Sequence, residues 1–384
     1  MRLDIDRKTL TGMLAGAAIT VVIVVLLRGL FGGGDDGPGT AIEDIRPNST
    51  GTSDSRGASQ VEDDGEAEAQ AFTPSQEPPG IAIPTGPDKI DCPEATVTVR
   101  DAAELAGALE VVEPGAVIKL EPGVYAGRFV AATAGSEAEP IFVCGPSEAI
   151  IDGGGVKKGY AFHLNQVSHW RLVGFTVRNS QKGVMADRTS NTIIQGLTVH
   201  DIGDEAVHLR NFSSDNTVQY CMIYATGLRR EKFGEGVYLG TAESNWDSFS
   251  GGQMDRSDRN IVRGNVIRGT AEAIDIKEGT SDGRIIGNIF DGSNLAGSKH
   301  NDSWVDVKGN GYLIEGNTGS NTKADGFQTH EIVDGWGTGN VFRANVIHLG
   351  NSGGVGVNDT AGGNTISCDN KVTGGPLTKN VGCS

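Results

Sequence analysis

The chain has 384 residues, enough for two or three ordinary domains, but solenoids run longer than that norm and length alone does not divide it. Its 57 glycines and 6% aromatic content suit many short strands and tight turns, which argues against a fold of packed helices. The formal charge of −17 is uneven, with twelve acidic and three basic side chains in residues 32–90, and residues 91–384 remain at −10 without a basic stripe, which excludes nucleic acid as a partner.

Residues 10–27 are 18 residues without a charge, preceded by Arg2, Arg7 and Lys8 and followed by Arg28. That run is long enough to cross a bilayer, exceeds a signal-peptide core, and is followed by no Ala-x-Ala cleavage site. The expectation is a cytoplasmic tip over 1–9 and an uncleaved single-pass anchor over 10–31. The basic end stays inside, so the rest of the chain lies outside the cell membrane. Residues 32–90, from GGGDDGPG to IPTGPDK, are rich in Gly, Pro, Ser and acids and poor in periodic apolar residues. Such a composition cannot offset chain entropy, and the segment reads as a disordered acidic linker.

The folded domain is expected over 91–384. Its opening, TVTVRDAAELAGALEVVEPGAVIKLEPGVYAGRF, gives a short strand and then apolar residues at helical spacing (Ala103, Leu105, Leu109). Asp101 is the expected N-cap, and the helix stops before Pro114 and Gly115. Such a helix would cover the open first coil of a solenoid.

From His169 onward the sequence repeats. HWRLVGFTV is followed by NTIIQGLTV at 191, NTVQYCMIY at 216, NIVRGNVI at 260, GRIIGNIF at 283, GYLIEGNT at 311, NVFRANVI at 340 and NTISCDNKV at 364. From Asn191 the steps of 25, 44, 23, 28, 29 and 24 residues each hold two or three strands joined by polar bends, the spacing of one β-helix coil. The fold class is therefore all-β, a right-handed parallel β-helix. The long step carries an insertion at about 241–259. Asn at one point of successive coils tolerates left-handed torsions and offers its amide to the coils above and below.

A second strand in each coil also stacks: EAVHLR, EGVYLG, EAIDIK, SWVDVK, DGFQTH and GGVGVN. Their third and fifth positions point inward and their fourth and sixth outward. One outward ladder reads His208, Tyr238, Asp275, Asp306, Gln328. The next reads Arg210, Gly240, Lys277, Lys308, His330. At the bend before the strand stand Glu205, Glu235, Glu272, Ser303 and Asp325. Stacked carboxylates repel unless protonated or bridged, so Glu235 and Glu272, with Glu205 as a third, form a candidate calcium site of hard oxygen ligands.

PGAVIKLEPGVYAG, the helix before it and the coil GTAEAIDIKEGTSDGRIIGN resemble the right-handed β-helix polysaccharide lyases of the chondroitinase B and alginate lyase type. The resemblance implies that Glu272, five residues before Lys277, binds calcium while Lys277 removes a proton. Lys308 stands where that family has an assisting arginine. Thr270 stands where the family has a second acidic ligand, so Glu235 of the preceding coil takes that place. ADGFQTHE is similar to a pectate lyase motif, with His330 at the position of its catalytic lysine.

The chemistry requires such residues together. Eliminating a uronate begins with the proton beside a carboxylate, which becomes acidic enough only when that carboxylate is neutralised by metal or cationic side chains. The reading is an extracellular, membrane-tethered lyase of an acidic polysaccharide, with catalysis by Lys277, Lys308, Asp275, Asp306 and His330. Arg210, Tyr238 and His208 would bind substrate, and Trp246 of the insertion would stack a sugar.

One alternative is a glycoside hydrolase using Asp275 and Asp306, since coils about 4.8 Å apart approach the roughly 5–5.5 Å of retaining enzymes. Another is a non-catalytic glycan- or wall-binding surface protein. His163, His169, His200 and His300 lack ligand-like spacing and read as structural or surface residues. In an exported chain Cys92 can pair with Cys144 and Cys368 with Cys383, leaving Cys221 as a buried thiol. A capped solenoid gives no reason for oligomers, and a monomer is expected.

Overall fold

Each sequence repeat becomes one turn of a solenoid, because three-residue apolar runs separated by bends pair better with their copies in the next turn than with one another. A computed structural model describes residues 72–77, 81–293, 295, 301–379 and 381–384. All strand pairs are parallel and fall into three sheets of eleven, ten and nine strands running the length of the solenoid, about ten turns in all. The first sheet runs from Val97–Val99 to Thr365–Ile366, the second from Gly123–Ala126 to Lys371–Thr373, and the third from Phe129–Ala131 to Val357–Asp359.

The interior is one continuous apolar column. Trp170, Phe162, Phe175, Phe290, Trp304, Phe327 and Phe342 are fully buried in it. Successive rings touch, with centroids 6.4 Å apart for Phe290 and Trp304 and 6.0 Å for Trp304 and Phe327. The asparagines do what their torsional tolerance and amide chemistry allow. Asn265 donates its backbone N and Nδ2 to Asn288 Oδ1 at 3.0 Å each, and Asn288, Asn317, Asn345 and Asn370 repeat the pattern coil by coil. A buried amide ladder satisfies the bend where the chain leaves the first sheet.

A helix spans Ala102–Glu110, with Asp101 Oδ1 accepting from Glu104 N at 2.9 Å. Leu105 and Leu109 are buried in the same apolar cluster as Val99, Tyr125 and Phe129 of the first coil. Disulfides join Cys92 to Cys144 and Cys368 to Cys383, and Cys221 is a free buried thiol, pushed up to about 12 by that burial.

Residues 1–71 and 78–80 lie outside the described residues, so the expected tip, anchor and most of the linker are not described. Among the described residues no helix is long and apolar enough to cross a membrane. The end of the expected linker differs from its reading, because residues 81–90 lie along the solenoid. Ile81 and Ile83 pack on Met222, Tyr224 and Val266, Asp88 pairs with Arg263, and the Gln195 side chain bonds both N and O of Ile90. A composition averaged over residues 32–90 hides this short run, whose apolar side chains meet an apolar outer face of the second sheet.

Candidate functional site

The third sheet builds the site, because its inward positions are fixed by the core and its outward ones are thereby forced into line. Val207, Val237, Ile274, Val305 and Phe327 are fully buried, and between them and the next inward residues the register pairs His208 with Tyr238, Tyr238 with Asp275, Asp275 with Asp306 and Asp306 with Gln328. Upstream the same ladder holds Met185 and His163. These outward residues are themselves mostly buried, His208 at 4% and Asp275 at 2% exposure, so they pack against one another as a layer rather than standing free in solvent.

Two glycines make room for it. At Gly236 a Cβ would lie 2.7 Å from Ala273 O, so only glycine lets the Glu235 coil bend this closely against the next. Gly240, with φ of +87°, occupies the ladder position between Arg210 and Lys277, and a Cβ there would meet Thr280 Cγ2 at 2.5 Å.

At the centre, Lys277 Nζ is 2.8 Å from Asp275 Oδ2, and Lys308 Nζ bridges Asp275 Oδ1 at 2.9 Å and Asp306 Oδ2 at 2.6 Å. His330 Nε2 reaches Asp306 Oδ1 at 3.2 Å and Gln328 Oε1 at 3.0 Å. Lys277 Nζ also stands 5.0 Å from the Tyr238 ring centre, and that ring lies 4.4 Å from the ring of His208. The five residues expected to be catalytic are therefore contiguous, and Tyr238 and His208 adjoin them.

Charge states follow from burial and partners. Burial alone would raise Asp275, but Lys277 and Lys308 outweigh it and hold the carboxyl below its usual range. Burial alone would lower Lys277, yet Asp275 and then Glu278 hold its ammonium well above the usual value. Lys308 is raised in the same way by Asp275 and Asp306. Burial, with Asp275 and Glu235 adding to it, keeps the Tyr238 phenol protonated. His208 is pushed well below its normal value by burial and by Lys182 and Arg210, so it is neutral. Its Nε2 donates to Gly240 O at 2.9 Å, which leaves Nδ1 as the acceptor facing Lys182 Nζ at 3.5 Å.

Glu235, Glu272 and Asp275 each bring an oxygen to within 4.8 Å of the others, all three buried. Burial first, and neighbouring carboxylates second, raise Glu235 and Glu272 well above the carboxylate range. Glu235 Oε2 is buried without a hydrogen-bond partner. The donor set is all oxygen and includes an orphaned carboxylate oxygen, which fits calcium; an ion there would take the place of the protons that burial holds on Glu235 and Glu272. Glu205, expected as the third ligand, is instead placed against Lys182 at 2.5 Å and His208 Nδ1 at 3.5 Å, and Asp275 takes its place in the trio. The linear sequence hides this, because Asp275 stands in the ladder while Glu205 stands in the glutamate column.

Arg210 does not reach the lysines. Its Nε donates to Asp187 Oδ1 at 2.8 Å and a terminal nitrogen to Tyr160 Oη at 3.2 Å. Trp246 lies in the short helix Trp246–Phe249, its Nε1 donating to Thr241 O at 2.9 Å. The aromatic that this insertion lays over the ladder is Phe249, with Arg210 Cζ 3.9 Å from its ring centre. Sequence reading missed Phe249, Lys182, Asp187 and Tyr160. Extending the outward ladder one coil upstream would have found Asp187, since KGVMAD aligns with EAVHLR. His163, read as structural, is 2.9 Å from Asp187 Oδ2.

A parallel β-solenoid with lysines and carboxylates gathered on one sheet is a scaffold on which polysaccharide lyases are built. The chain belongs to the β-helix polysaccharide lyases that include the alginate lyase of Paenibacillus sp. str. FPU-7. It is 33% identical to that enzyme, with a TM-score of 0.67 over 75% of this chain and 97% of that one. A rhamnogalacturonan lyase (15% identity, TM-score 0.50, 73% of this chain and 87% of that one) and PfbA, a surface adhesin of Streptococcus pneumoniae (12%, 0.52, 72% and 75%), share the fold. No family model and no curated protein matches the sequence.

Proposed function

We propose that this lyase cleaves a uronate-containing glycan by β-elimination, outside the cell and tethered through its N-terminal segment, with alginate the first substrate to try because the 33% identical relative is an alginate lyase. The observation that carries the reading is the position of Lys277 on the outward face of the third sheet, between Asp275 and the protonated Tyr238.

Proton abstraction needs Lys277 as the neutral amine. Asp275 is shared between Lys277 and Lys308, so a shift of its carboxylate wholly to Lys308 weakens the largest of the charges that hold Lys277 protonated. Burial then favours the neutral base. Lys308 keeps positive charge next to the substrate carboxylate, and Tyr238 is the phenol positioned to protonate the departing oxygen. Glu235, Glu272 and Asp275 would hold calcium, which when bound supplies positive charge that acidifies the proton beside the substrate carboxylate.

A hydrolase using Asp275 and Asp306 is disfavoured by the same geometry. Both carboxylates accept from one ammonium, Lys308, which occupies the space between them where a hydrolase pair must flank the scissile bond.

The test is ultraviolet absorbance of the full chain with alginate, pectate, glucuronan and chondroitin or dermatan sulfate, each with calcium and with chelator. Rising absorbance marks unsaturated uronate and names the substrate. New reducing ends without absorbance would overturn the elimination chemistry, and a calcium-independent rise would remove calcium from it.

A further inference from the structure

We infer that Phe249, seated on Arg210 beside Tyr160, forms a sugar-binding subsite two coils toward the N-terminus from Lys277, taking an internal ring of the same glycan. The inference rests on the lyase reading for its ligand and extends it to a site outside the catalytic cluster.

Three observations carry it. The first is an aromatic ring that the fold goes out of its way to expose. Phe249 is 39% exposed although it follows the buried coil of Tyr238, and its ring covers the guanidinium of Arg210, a residue only 6% exposed. A cation beneath a ring fixes its plane and leaves the outer face free for a pyranose.

The second is that the insertion is clamped at both ends by buried carboxylates. Glu278, the neighbour of Lys277, accepts from Glu243 N at 2.5 Å. Asp255 accepts from Asn211 N at 2.6 Å, Phe212 N at 2.7 Å and Thr241 Oγ1 at 2.6 Å. The loop that carries Phe249 is thus tied at one end to the residue after the base and at the other to the coil of Arg210, which makes a fixed wall rather than a loose flap.

The third is alignment. Arg210, Gly240 and Lys277 stand at successive positions of one outward ladder, so two coil steps separate Arg210 from the base, about 10 Å at the parallel-strand spacing. Asp187 and His163 complete the polar floor, with His163 Nε2 2.9 Å from Asp187 Oδ2 and the Tyr160 ring edge-on to His163 at 5.2 Å. A chain lying along the groove meets this platform only if it is long enough to extend past the cleavage point. The floor carries acceptors, the Tyr160 ring and an Arg210 already paired with Asp187, so the platform recognises ring faces and hydroxyls rather than carboxylates.

The experiment compares the wild type with Phe249→Ala and Phe249→Trp on a polymeric uronan and on the shortest oligomer the enzyme cleaves. Phe249→Ala is expected to raise KM for the polymer about tenfold more than for the short oligomer, with kcat little altered, and Phe249→Trp to restore it. Equal effects on both lengths, or failure of Trp to restore polymer KM, would overturn the subsite. Wild-type turnover of the polymer separately decides the lyase reading. If the wild type cleaves no uronan, binding of the polymer by the two variants in affinity electrophoresis still reads the platform, and equal retardation of both overturns it.

Discussion

Lys277 Nζ lies 2.8 Å from Asp275 Oδ2, a contact that keeps the lysine charged in the resting groove and makes its deprotonation depend on where Asp275 directs its charge. A buried lysine without that anion would lose its proton readily.

Replacing the base is the direct check on this arrangement. Lys277→Ala should lower kcat on the preferred uronan by about 10²–10⁴, the usual contribution of a positioned base, while circular dichroism and the melting temperature stay close to wild type. Activity within a few-fold of wild type would remove Lys277 from the mechanism.

The carboxylate trio predicts a stability response to calcium that does not require turnover. At 100 times its Kd a ligand stabilises the fold by about 2.7 kcal/mol, so calcium should raise the melting temperature by several degrees and chelator should abolish the rise. Glu235→Gln and Glu272→Gln should lose the calcium shift. Both substitutions replace carboxyls whose ionisation is opposed by burial, so the calcium-free melting temperature should hold or increase. An undiminished shift in both variants would place the ion elsewhere.

Asp187 gives the domain a predicted acid limb. Burial by itself would raise its carboxyl, but the hydrogen bond from His163 and the charge of Arg210 outweigh that and hold it below the ordinary carboxylate range. A depressed folded-state value means stability that is present above the unfolded value of about 4 and lost as pH falls below it. Asp187→Asn, which leaves Arg210 buried and unpaired, should cost about 3 kcal/mol near pH 7, and the gap to wild type should narrow below pH 3 in urea titrations. A gap independent of pH would show that the pair contributes by packing alone.

The segment before Cys92 should behave as part of the domain. Ile81→Ala with Ile83→Ala removes two half-buried side chains from the Met222, Tyr224 and Val266 cluster, at a cost of about 2–3 kcal/mol. The expected readout is a melting temperature several degrees lower and faster proteolysis ahead of Cys92; an unchanged profile would restore the reading of residues 81–90 as linker.

The sequence by itself determined the coil repeat, the direction of each outward side chain and the membership of the central ladder. The reason is that strand periodicity is local: once Val207, Val237, Ile274 and Val305 must face the core, His208, Tyr238, Asp275 and Asp306 have nowhere else to point. The cysteine pairs were legible for a similar reason, since each lies near one end of the column. Only the tertiary structure decided what depends on loops crossing between coils. The Asp255 and Glu278 clamps put Phe249 rather than Trp246 over Arg210. Lys182 drew Glu205 away from Glu235 and Glu272, and Asp275 joined them instead. Residues 81–90 found an apolar face that lies well over a hundred positions later in the chain. A side chain's direction is set by its own strand, but its partner is set by whatever loop or coil the fold brings within a few ångströms, and sequence spacing carries no record of that.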